Sequence, residues 1–338
     1  MTAILVTGGA GYVGSHACKA LAAAGLRPVV FDNLSTGHRQ AVRWGPFERG
    51  DLADIEAIRR ALRRHRIEAV IHFAASSNVG ESMRDPGLYY RNNLTGTINL
   101  LEAMVDCGVH RLVLSSTCAT YGMPVKLPLD ETHPQNPVNP YGETKLAIER
   151  ALQWWDRVHG LRSLALRYFN AAGADPEGET GELHDPETHL IPIAIDVGLG
   201  HRPLLDIYGT DYPTLDGTAV RDYVHVADLA DAHLAGLRYL QGGGISTALN
   251  LGTGVGYSVR QVLRAVEAEA GRGLPVRESE RRAGDPPELV ADPRRAFAVL
   301  GWKPTRSELD FIVATAWAWH SRQTKHRPAR TAKLVGLG

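Results

Sequence analysis

Short apolar runs alternate with segments of helical periodicity throughout the first half of this sequence. The runs over residues 3–7, 27–32, 68–75, 110–116 and 163–170 read as strands, and segments with helical spacing of apolar residues lie between them. A strand, a helix and a second strand in this order form the repeating unit of a parallel sheet. The pattern therefore predicts an α/β fold built on a doubly wound parallel sheet.

A glycine-rich turn joins the first predicted strand to the first predicted helix. Gly9, Gly11 and Gly14 stand in GxGxxG register within the string TGGAGYVGSH. Such glycines let the backbone turn tightly and approach a pyrophosphate at a helix N-terminus. Asp32 ends the next predicted strand, where a carboxylate accepts hydrogen bonds from a ribose and repels a 2′-phosphate. The two features together predict a Rossmann-type dinucleotide site that takes NAD rather than NADP.

A tyrosine and a lysine stand one helical turn apart at the predicted start of a later helix. Tyr141 and Lys145 have i, i+4 spacing, which puts both side chains on one face. A phenol has a pKa of about 10, and a neighbouring ammonium group favours the phenolate. We therefore expect Lys145 to lower the pKa of Tyr141 and make it a usable base. Ser115 and Thr117 end a predicted strand, at the sheet edge where ligands bind.

The composition changes after Asn170. Glycine, proline, histidine and acidic residues crowd residues 171–189, which predicts a long functional loop. We expect residues 1–170 to form an NAD-binding Rossmann domain that a segment near 220–252 rejoins. Residues 171–338 are expected to form a smaller, discontinuous α+β substrate domain with a short basic tail. Within the loop, the spacing of His184 and His189 matches no standard ligand set, so we predict a polar loop and no metal site.

Charge and cysteine content narrow the class of partner. Lys and Arg number 37 and Asp and Glu number 37, so the net charge is zero, which disfavours nucleic acid or an anionic membrane as partner. The three cysteines are an odd number without metal-type spacing, which fits a reducing compartment. The sequence has no signal-like start and no apolar stretch of membrane-spanning length. We therefore expect a cytoplasmic protein with a small-molecule ligand.

The sequence resembles the extended short-chain dehydrogenase/reductase family and, within it, the UDP-glucose 4-epimerase group. The resemblance covers nearly the whole chain and is carried by TGGAGYVGSH, FDNLSTG, IHFAA, YYRNN, SSTCATYG, YGETK, LRYFNAAGA, NLGTG and RRAGDPPELVAD. It implies an NAD-dependent isomerase that oxidises C4 of a UDP-sugar and reduces the 4-keto intermediate from its other face. UDP-glucose and UDP-galactose would be interconverted, and a homodimer packed through helices of the first domain is also implied.

The resemblance also implies roles for individual residues. Tyr141 would be the base, Lys145 would hold the nicotinamide ribose, and Thr117 would hydrogen-bond the reacting oxygen. Cofactor contacts are implied for Gly8, Gly11, Tyr12, Val13, Gly14, Asp32, Asn33, Leu34, Ser35, Thr36, Gly37, Asp51, Leu52, Phe73, Ala74, Ala75, Ser77, Asn92, Ser115, Tyr141, Lys145, Tyr168 and Phe169. Substrate contacts are implied for Thr117, Tyr141, Asn170, His189, Leu190, Tyr208, Arg221, Arg282, Asp285 and Leu289.

Some residues depart from the family pattern, and these departures leave alternative substrates and functions open. Ser77 stands where other relatives have a lysine that reaches the cofactor, and Leu289 stands where some have a bulky aromatic that excludes N-acetylated sugars. The strings RWGPFERGD and GELHDPETHLIP are similar to those of UDP-xylose/UDP-arabinose 4-epimerases, so a pentose or an N-acetylhexosamine is an alternative substrate. Cys118 and Ala119 replace the acid pair of dehydratase relatives, which disfavours dehydration. A non-catalytic NAD sensor is the alternative of another class.

Overall fold

The computed structural model describes residues 1–282 and 284–324. Its strands are, in chain order, β1 (Ala3–Thr7), β2 (Arg27–Asp32), β3 (Phe47–Arg49), β4 (Ala69–His72), β5 (Arg111–Thr117), β6 (Arg162–Tyr168), β7 (Asn170–Ala172), β8 (Leu205–Tyr208), β9 (Val220–Arg221), β10 (Tyr223–His225), β11 (Thr247–Leu251), β12 (Tyr257–Ser258), β13 (Val276–Ser279) and β14 (Glu288–Leu289). Its α-helices are α1 (Tyr12–Ala23), α2 (Ile55–His65), α3 (Val79–Ser82), α4 (Pro86–Tyr89), α5 (Gly96–Asp106), α6 (Pro140–His159), α7 (Leu190–Gly198), α8 (Val226–Gln241), α9 (Val259–Ala270), α10 (Arg294–Leu300) and α11 (Leu309–Thr324).

The central sheet has seven strands in the order β11-β6-β5-β4-β1-β2-β3. Every neighbouring pair in it is parallel. The chain builds outward from β1 in one direction and then from β4 in the other, so the topological switch point lies between β1 and β4. The predicted doubly wound, Rossmann-type parallel sheet is confirmed.

Both faces of the sheet are covered by helices, which is why its strands are apolar at consecutive positions. On one face Leu5 and Val70 belong to a buried cluster with residues of α2, α5 and α6. On the other face Ile4 and Ile71 belong to a second buried cluster with residues of α1 and α8. Alternate side chains of each strand therefore enter two separate cores, and the sheet edge between them is left for ligands.

The segment between β4 and β5 is not one continuous α-helix, although its apolar periodicity predicts a helix from about Pro86 to Cys107. A π-helical turn covers Tyr90–Thr95, between α4 and α5. Within this turn the buried side chain of Asn93 accepts a hydrogen bond from the Ser76 amide at 2.8 Å and donates to the Ser76 carbonyl at 2.9 Å. Such turns often occur at functional sites. Here the turn fixes the segment that follows β4 at the ligand-binding edge of the sheet.

The residues after Asn170 form smaller sheets and a third apolar cluster. Strand β13 pairs in parallel with β8, and β9 lies between β12 and β14. Apolar residues of α7, α9 and α11 fill the cluster between these elements. The domain boundaries given from composition stay a prediction, and the basic tail past residue 324 lies outside the described residues. Among residues 1–282 and 284–324, no helix combines the length and apolar character that crossing a membrane requires.

Candidate active site

A large cavity lies along the carboxyl ends of the central strands, between the main sheet and the smaller sheets. Its volume is about 1470 Å³. Typical small-molecule pockets measure roughly 300–1,000 Å³, so this cavity has room for more than one ligand. Every residue predicted to contact cofactor or substrate lines it, with the exception of Leu34. The fold thus brings together side chains that lie more than 250 positions apart in sequence, from Gly8 to Leu289.

Leu34 lies behind the site. Its backbone has a left-handed conformation with φ of 62°, and its amide donates to Asp32 Oδ1 at 2.8 Å. Its side chain packs against the apolar cluster on the α1 side of the sheet. The predicted contact between Leu34 and the cofactor stays a prediction, and in the structure its amide orients Asp32.

The glycine turn after β1 packs more tightly than any side chain would allow. A Cβ at Gly14 would stand 2.2 Å from the Gly8 carbonyl oxygen, and Gly8 itself has φ of +72°. Gly11 is the N-cap of α1 and no side chain caps the first turn. The free amides at this end of α1, together with the helix dipole, favour an anion in the adjoining cavity. The turn therefore fits the pyrophosphate of a dinucleotide.

The carboxylate of Asp32 is held in a fixed orientation at the end of β2. It accepts hydrogen bonds from the Ala10 amide at 3.0 Å and from the Leu34 amide. Each carboxylate oxygen has a further lone pair, so the group can still accept from ribose hydroxyls. Asn33 Nδ2 donates to Asp51 Oδ2 at 2.8 Å, which ties two further predicted cofactor residues together. The observed donors and acceptors fit NAD.

Tyr141, Thr117 and Lys145 meet at the centre of the cavity. Tyr141 and Thr117 both line the cavity, and the Thr117 side chain lies near enough to the Tyr141 hydroxyl to act on its pKa. Lys145 lies on the same face of α6, is 2% exposed, and donates from Nζ to the Ser115 carbonyl oxygen at 2.8 Å. The helix begins here because Asn139 caps it, accepting from the Gly142 amide, and because Pro140 suits its first turn. A phenol, a hydroxyl and a buried ammonium group therefore converge at the end of β5.

The protonation of this group differs from the sequence-based expectation. Burial raises the pKa of Tyr141 well above its ordinary value of 10, while the nearby Thr117 side chain opposes this shift. Burial lowers the pKa of Lys145 to about 8, and the Glu149 carboxylate one turn further on opposes that change. Lys145 Nζ binds a backbone carbonyl. The predicted lowering of the Tyr141 pKa is wrong, because desolvation by burial raises it.

Basic and aromatic side chains line the far end of the cavity. Arg221 pairs with Asp285, which lies 64 positions later, and the Arg282 guanidinium stands 4.0 Å from the centre of the Tyr208 ring. Asp222, the sequence neighbour of Arg221, accepts instead from the amides of Thr253, Gly254 and Ala291. Arg221 is thus not neutralised by its sequence neighbour but by Asp285, and both guanidinium groups line the end of the cavity that would take an anionic ligand.

A few lining residues were not anticipated from the sequence. Arg202 and Glu182 both reach the cavity, as does Asn139. Asn139 precedes a proline at a helix start, so its capping position carries a local signal. Arg202 belongs to an irregular segment without a motif, and Glu182 lies within the string GELHDPETHLIP but had no role assigned from the sequence. Only the folded path of the chain brings these two side chains to the cavity. Cys118 is buried, and burial raises its thiol pKa to about 12, so it stays protonated.

The loop over residues 173–189 is tied to the first half of the chain across the cavity. Lys19 Nζ lies 2.8 Å from Asp175 Oδ1, and its ion pairs also include two glutamates of the loop. The Tyr12 hydroxyl donates to the Gly173 carbonyl at 2.5 Å. A ring nitrogen of His38 lies 2.8 Å from the Leu183 carbonyl oxygen. The loop therefore covers the cavity beside the glycine turn.

Comparison with known proteins agrees with this geometry. Residues 4–252 match the NAD dependent epimerase/dehydratase family. A relative from Rhizobium leguminosarum bv. trifolii, named UDP-glucose 4-epimerase, is 54% identical over 323 residues, which cover 96% of this chain and 98% of the relative. The crystal structure of UDP-glucose 4-epimerase from Brucella ovis in complex with NAD is 51% identical, with a TM-score of 0.92, covering 94% of this chain and 98% of that one.

A second solved structure is similar at lower identity. UDP-glucose 4-epimerase from Stenotrophomonas maltophila, with bound NAD and formylated UDP-arabinopyranose, is 38% identical with a TM-score of 0.93, covering 97% of this chain and all of that one. Fold and site together define a dinucleotide-binding protein of the Rossmann type with a tyrosine and a lysine in its cavity. The chain belongs to the NAD-dependent epimerase/dehydratase family, and its cofactor is NAD.

Replacing Lys145 tests whether a charge is buried in the site. A lysine whose folded pKa is about 8 costs stability at pH 7, and the cost fades as pH rises from 8 to its unfolded value of 10.5. Wild type should therefore gain about 2 kcal/mol of unfolding free energy relative to Lys145→Met between pH 7 and 9.5. Urea denaturation of cofactor-stripped protein measures this difference. An unchanged difference across that range would mean that Lys145 stays protonated in the folded protein, with a pKa close to its unfolded value.

Proposed function

We propose that this protein is an NAD-dependent UDP-glucose 4-epimerase that interconverts UDP-glucose and UDP-galactose through a 4-keto intermediate. The observation that carries the proposal is the meeting of Tyr141, Thr117 and Lys145 in the same cavity as the glycine turn and Asp32. The relatives that are about half identical over nearly their whole length, all named UDP-glucose 4-epimerase, support the same activity.

The glycine turn, Asp32 and Lys145 would hold the cofactor. The first turn of α1 would bind the pyrophosphate, Asp32 the adenosine ribose, and Lys145 the nicotinamide ribose. When bound, NAD supplies the acceptor and later the donor of the hydride at C4 of the sugar. The loop over residues 173–189 is joined to the first half of the chain by the Lys19 ion pairs and by Tyr12, which supports long retention of the cofactor.

Tyr141 would move the proton. Its phenolate form would accept the proton of the sugar 4-hydroxyl as C4 is oxidised, and the resulting phenol would return that proton when C4 is reduced. Thr117, which lies beside the Tyr141 hydroxyl, would hold the reacting oxygen in line with the phenol. With a pKa of about 8, Lys145 is mostly charged at pH 7 and would stabilise the phenolate.

The basic end of the cavity would hold the UDP part of the substrate. Arg221 and Arg282 offer planar guanidinium groups that can grip diphosphate oxygens in bidentate pairs. Asn170, Leu190 and Tyr208 line the same part of the cavity. An anchor on the diphosphate would leave the 4-keto sugar free to turn over, so that its other face meets the returning hydride.

A UDP-pentose and a UDP-N-acetylhexosamine are alternative substrates. The Stenotrophomonas relative holds formylated UDP-arabinopyranose, which favours a pentose as an additional substrate. Leu289 lines the cavity and packs beside Cys118 and Phe169, where an aromatic ring would fill more space, and this favours N-acetylated hexoses. A non-catalytic NAD sensor is disfavoured because the cavity keeps the proton-transfer group together with the cofactor site.

Assembly and location also belong to the proposal. The α6 helix carries Trp154 and Val158 on its outer face, and these side chains are 61% and 67% exposed. Two large apolar groups one turn apart on an exposed helix favour a homodimer that packs through helices of the first domain. All three cysteines are free, which agrees with function in the cytoplasm.

A panel of nucleotide sugars tests the activity. Purified protein without added cofactor should invert C4 of UDP-glucose, because retained NAD serves every cycle. UDP-N-acetylglucosamine and UDP-xylose assayed in parallel by NMR or chromatography reveal how wide the specificity is. Protein that carries NAD and yet inverts none of the three would favour the sensor alternative.

The Tyr141→Phe variant tests the proton-transfer role. Removing the hydroxyl while keeping the ring should lower kcat by about 100-fold or more, the usual size of a lost general base. The NAD content released on denaturation should stay near that of wild type, because the ring still packs in place. Tyr239→Phe is the matched control, since the Tyr239 hydroxyl only donates to the Ile245 carbonyl on the surface. A near-normal rate in Tyr141→Phe would remove this residue from the chemistry.

Sedimentation analysis tests the dimer. Wild type should sediment at twice the 36.7 kDa mass of the chain, and Trp154→Glu should shift it towards the monomer by placing a charge in the apolar contact. Leu215→Glu is the matched control, because Leu215 is fully exposed in a loop far from α6 in sequence. A monomeric wild type, or equal dissociation in both variants, would contradict the α6 interface.

A further inference from the structure

The loop before α7 gathers two histidines and two glutamates. Glu182, His184, Glu187 and His189 each offer one ligand atom, and these atoms all lie within 4.8 Å of one another. Glu182 is 4% exposed, and His184 and Glu187 are partly buried. The spacing along the chain gave no reason to expect a metal site, because the group forms only when the loop folds back on itself.

The distances within the group match the coordination shell of one cation. His184 Nδ1 lies 2.9 Å from Glu182 Oε1 and 3.7 Å from Glu187 Oε2. His189 Nδ1 lies 2.8 Å from Glu182 Oε1 and 2.9 Å from Glu187 Oε1. Ligand atoms bound tetrahedrally to Zn²⁺ at 2.0–2.1 Å are about 3.3 Å apart. A cation would therefore need shifts of only a few tenths of an ångström in most of these side chains.

The four side chains are held close together by short contacts between ring nitrogens and carboxylate oxygens. Each Nδ1 carries at most one hydrogen, yet His189 Nδ1 faces two carboxylate oxygens at nearly equal distance. A central divalent cation would take the place of the protons on the two imidazoles and turn all four atoms into ligands.

A second acidic group in the same loop is paired with a lysine instead of histidines. Asp175, Glu177 and Glu179 are also close together, but Lys19 Nζ lies 2.8, 2.6 and 2.7 Å from them. The ammonium group there supplies the positive charge that the carboxylates need. In the cluster around Glu182 the donors are imidazole nitrogens and carboxylate oxygens, a set that suits zinc and similar transition metals.

We propose that Glu182, His184, Glu187 and His189 bind one divalent transition-metal cation of the Zn²⁺ class. The cation would join the middle of the covering loop to the start of α7, because His189 directly precedes that helix. The backbone at Glu182 is already anchored, since Trp319 Nε1 donates to its carbonyl at 2.9 Å. The site would be structural: it would fix the wall of the cavity without supplying a group to the reaction.

Zn²⁺ titration of the holoprotein tests the site. Protein dialysed against a chelator should bind one equivalent of Zn²⁺ in the micromolar range or tighter, read by competition with a chromophoric chelator. Saturating Zn²⁺ should raise Tm by several degrees, because binding favours the folded state. Co²⁺ in place of Zn²⁺ should give the visible absorption of a four-coordinate site.

Two variants and one control assign the ligands. His184→Asn keeps a hydrogen-bond donor near the position of Nδ1 but removes a metal ligand, and Glu182→Gln removes one negative charge. Either should weaken Zn²⁺ binding by about 100-fold or more, since even changes beyond the ligands cost 10–100-fold. Glu177→Gln, in the cluster held by Lys19, should bind Zn²⁺ as wild type does.

The proposal is overturned by either of two results. One is a wild-type protein that binds no stoichiometric Zn²⁺ at sub-millimolar concentration, a measurement that needs no variant to fold. The other is equal affinity in wild type, His184→Asn and Glu182→Gln, which would show an adventitious ion only. Both readouts are independent of epimerase activity, so a failure here leaves the proposed function untouched, and the reverse also holds.

Discussion

The start of α1 lies so close to the end of β1 that no side chain fits between them. Gly14 leaves no room for a Cβ beside the Gly8 carbonyl, and a Cβ at Gly8 would stand 2.6 Å from the Ala74 amide nitrogen. This contact points the uncapped first turn of α1 into the cavity, next to the end of β4. The rest of the site depends on it, because the anion-binding end of the helix, the segment after β4 and Asp32 keep their spacing only while the turn stays this tight.

The buried ionisable groups of the cavity lower the free energy of unfolding. Lys145 is almost fully buried with one carbonyl partner, and Tyr141 is held in its neutral form by the same desolvation. One turn further along α6, Glu149 forms a buried pair with Arg167, and its charge also helps to keep Lys145 protonated. A helix that carries these charges inside must be supported from both ends, and its Asn139 cap and Gly160 terminus supply that support.

Features that depend on local chemistry could be predicted from the sequence. The bounds of β1 and β2, the helix beginning at Pro140 and the carboxylate at Asp32 follow from apolar periodicity, a proline at a helix start and a strand end. The π-helical turn at Tyr90–Thr95 was missed because its cause is a distant pair of hydrogen bonds to Ser76. The hydrogen bond from the Leu34 amide to Asp32 and the high pKa of Tyr141 were missed for a similar reason. Both depend on an environment that only the folded chain creates.

The two sides of the cavity are closed in different ways. This difference indicates which side suits a retained cofactor and which side suits an exchanged substrate. The side next to the glycine turn is crossed by the loop over residues 173–189, which the Lys19 ion pairs and the Tyr12 hydroxyl join to α1. Releasing a ligand from beneath that loop would require several buried or partly buried contacts to break together. The side lined by Tyr208 and Arg282 consists of surface side chains packed on one another, with Tyr208 38% exposed. A ligand retained through many cycles therefore fits the first side, and a ligand exchanged in every cycle fits the second.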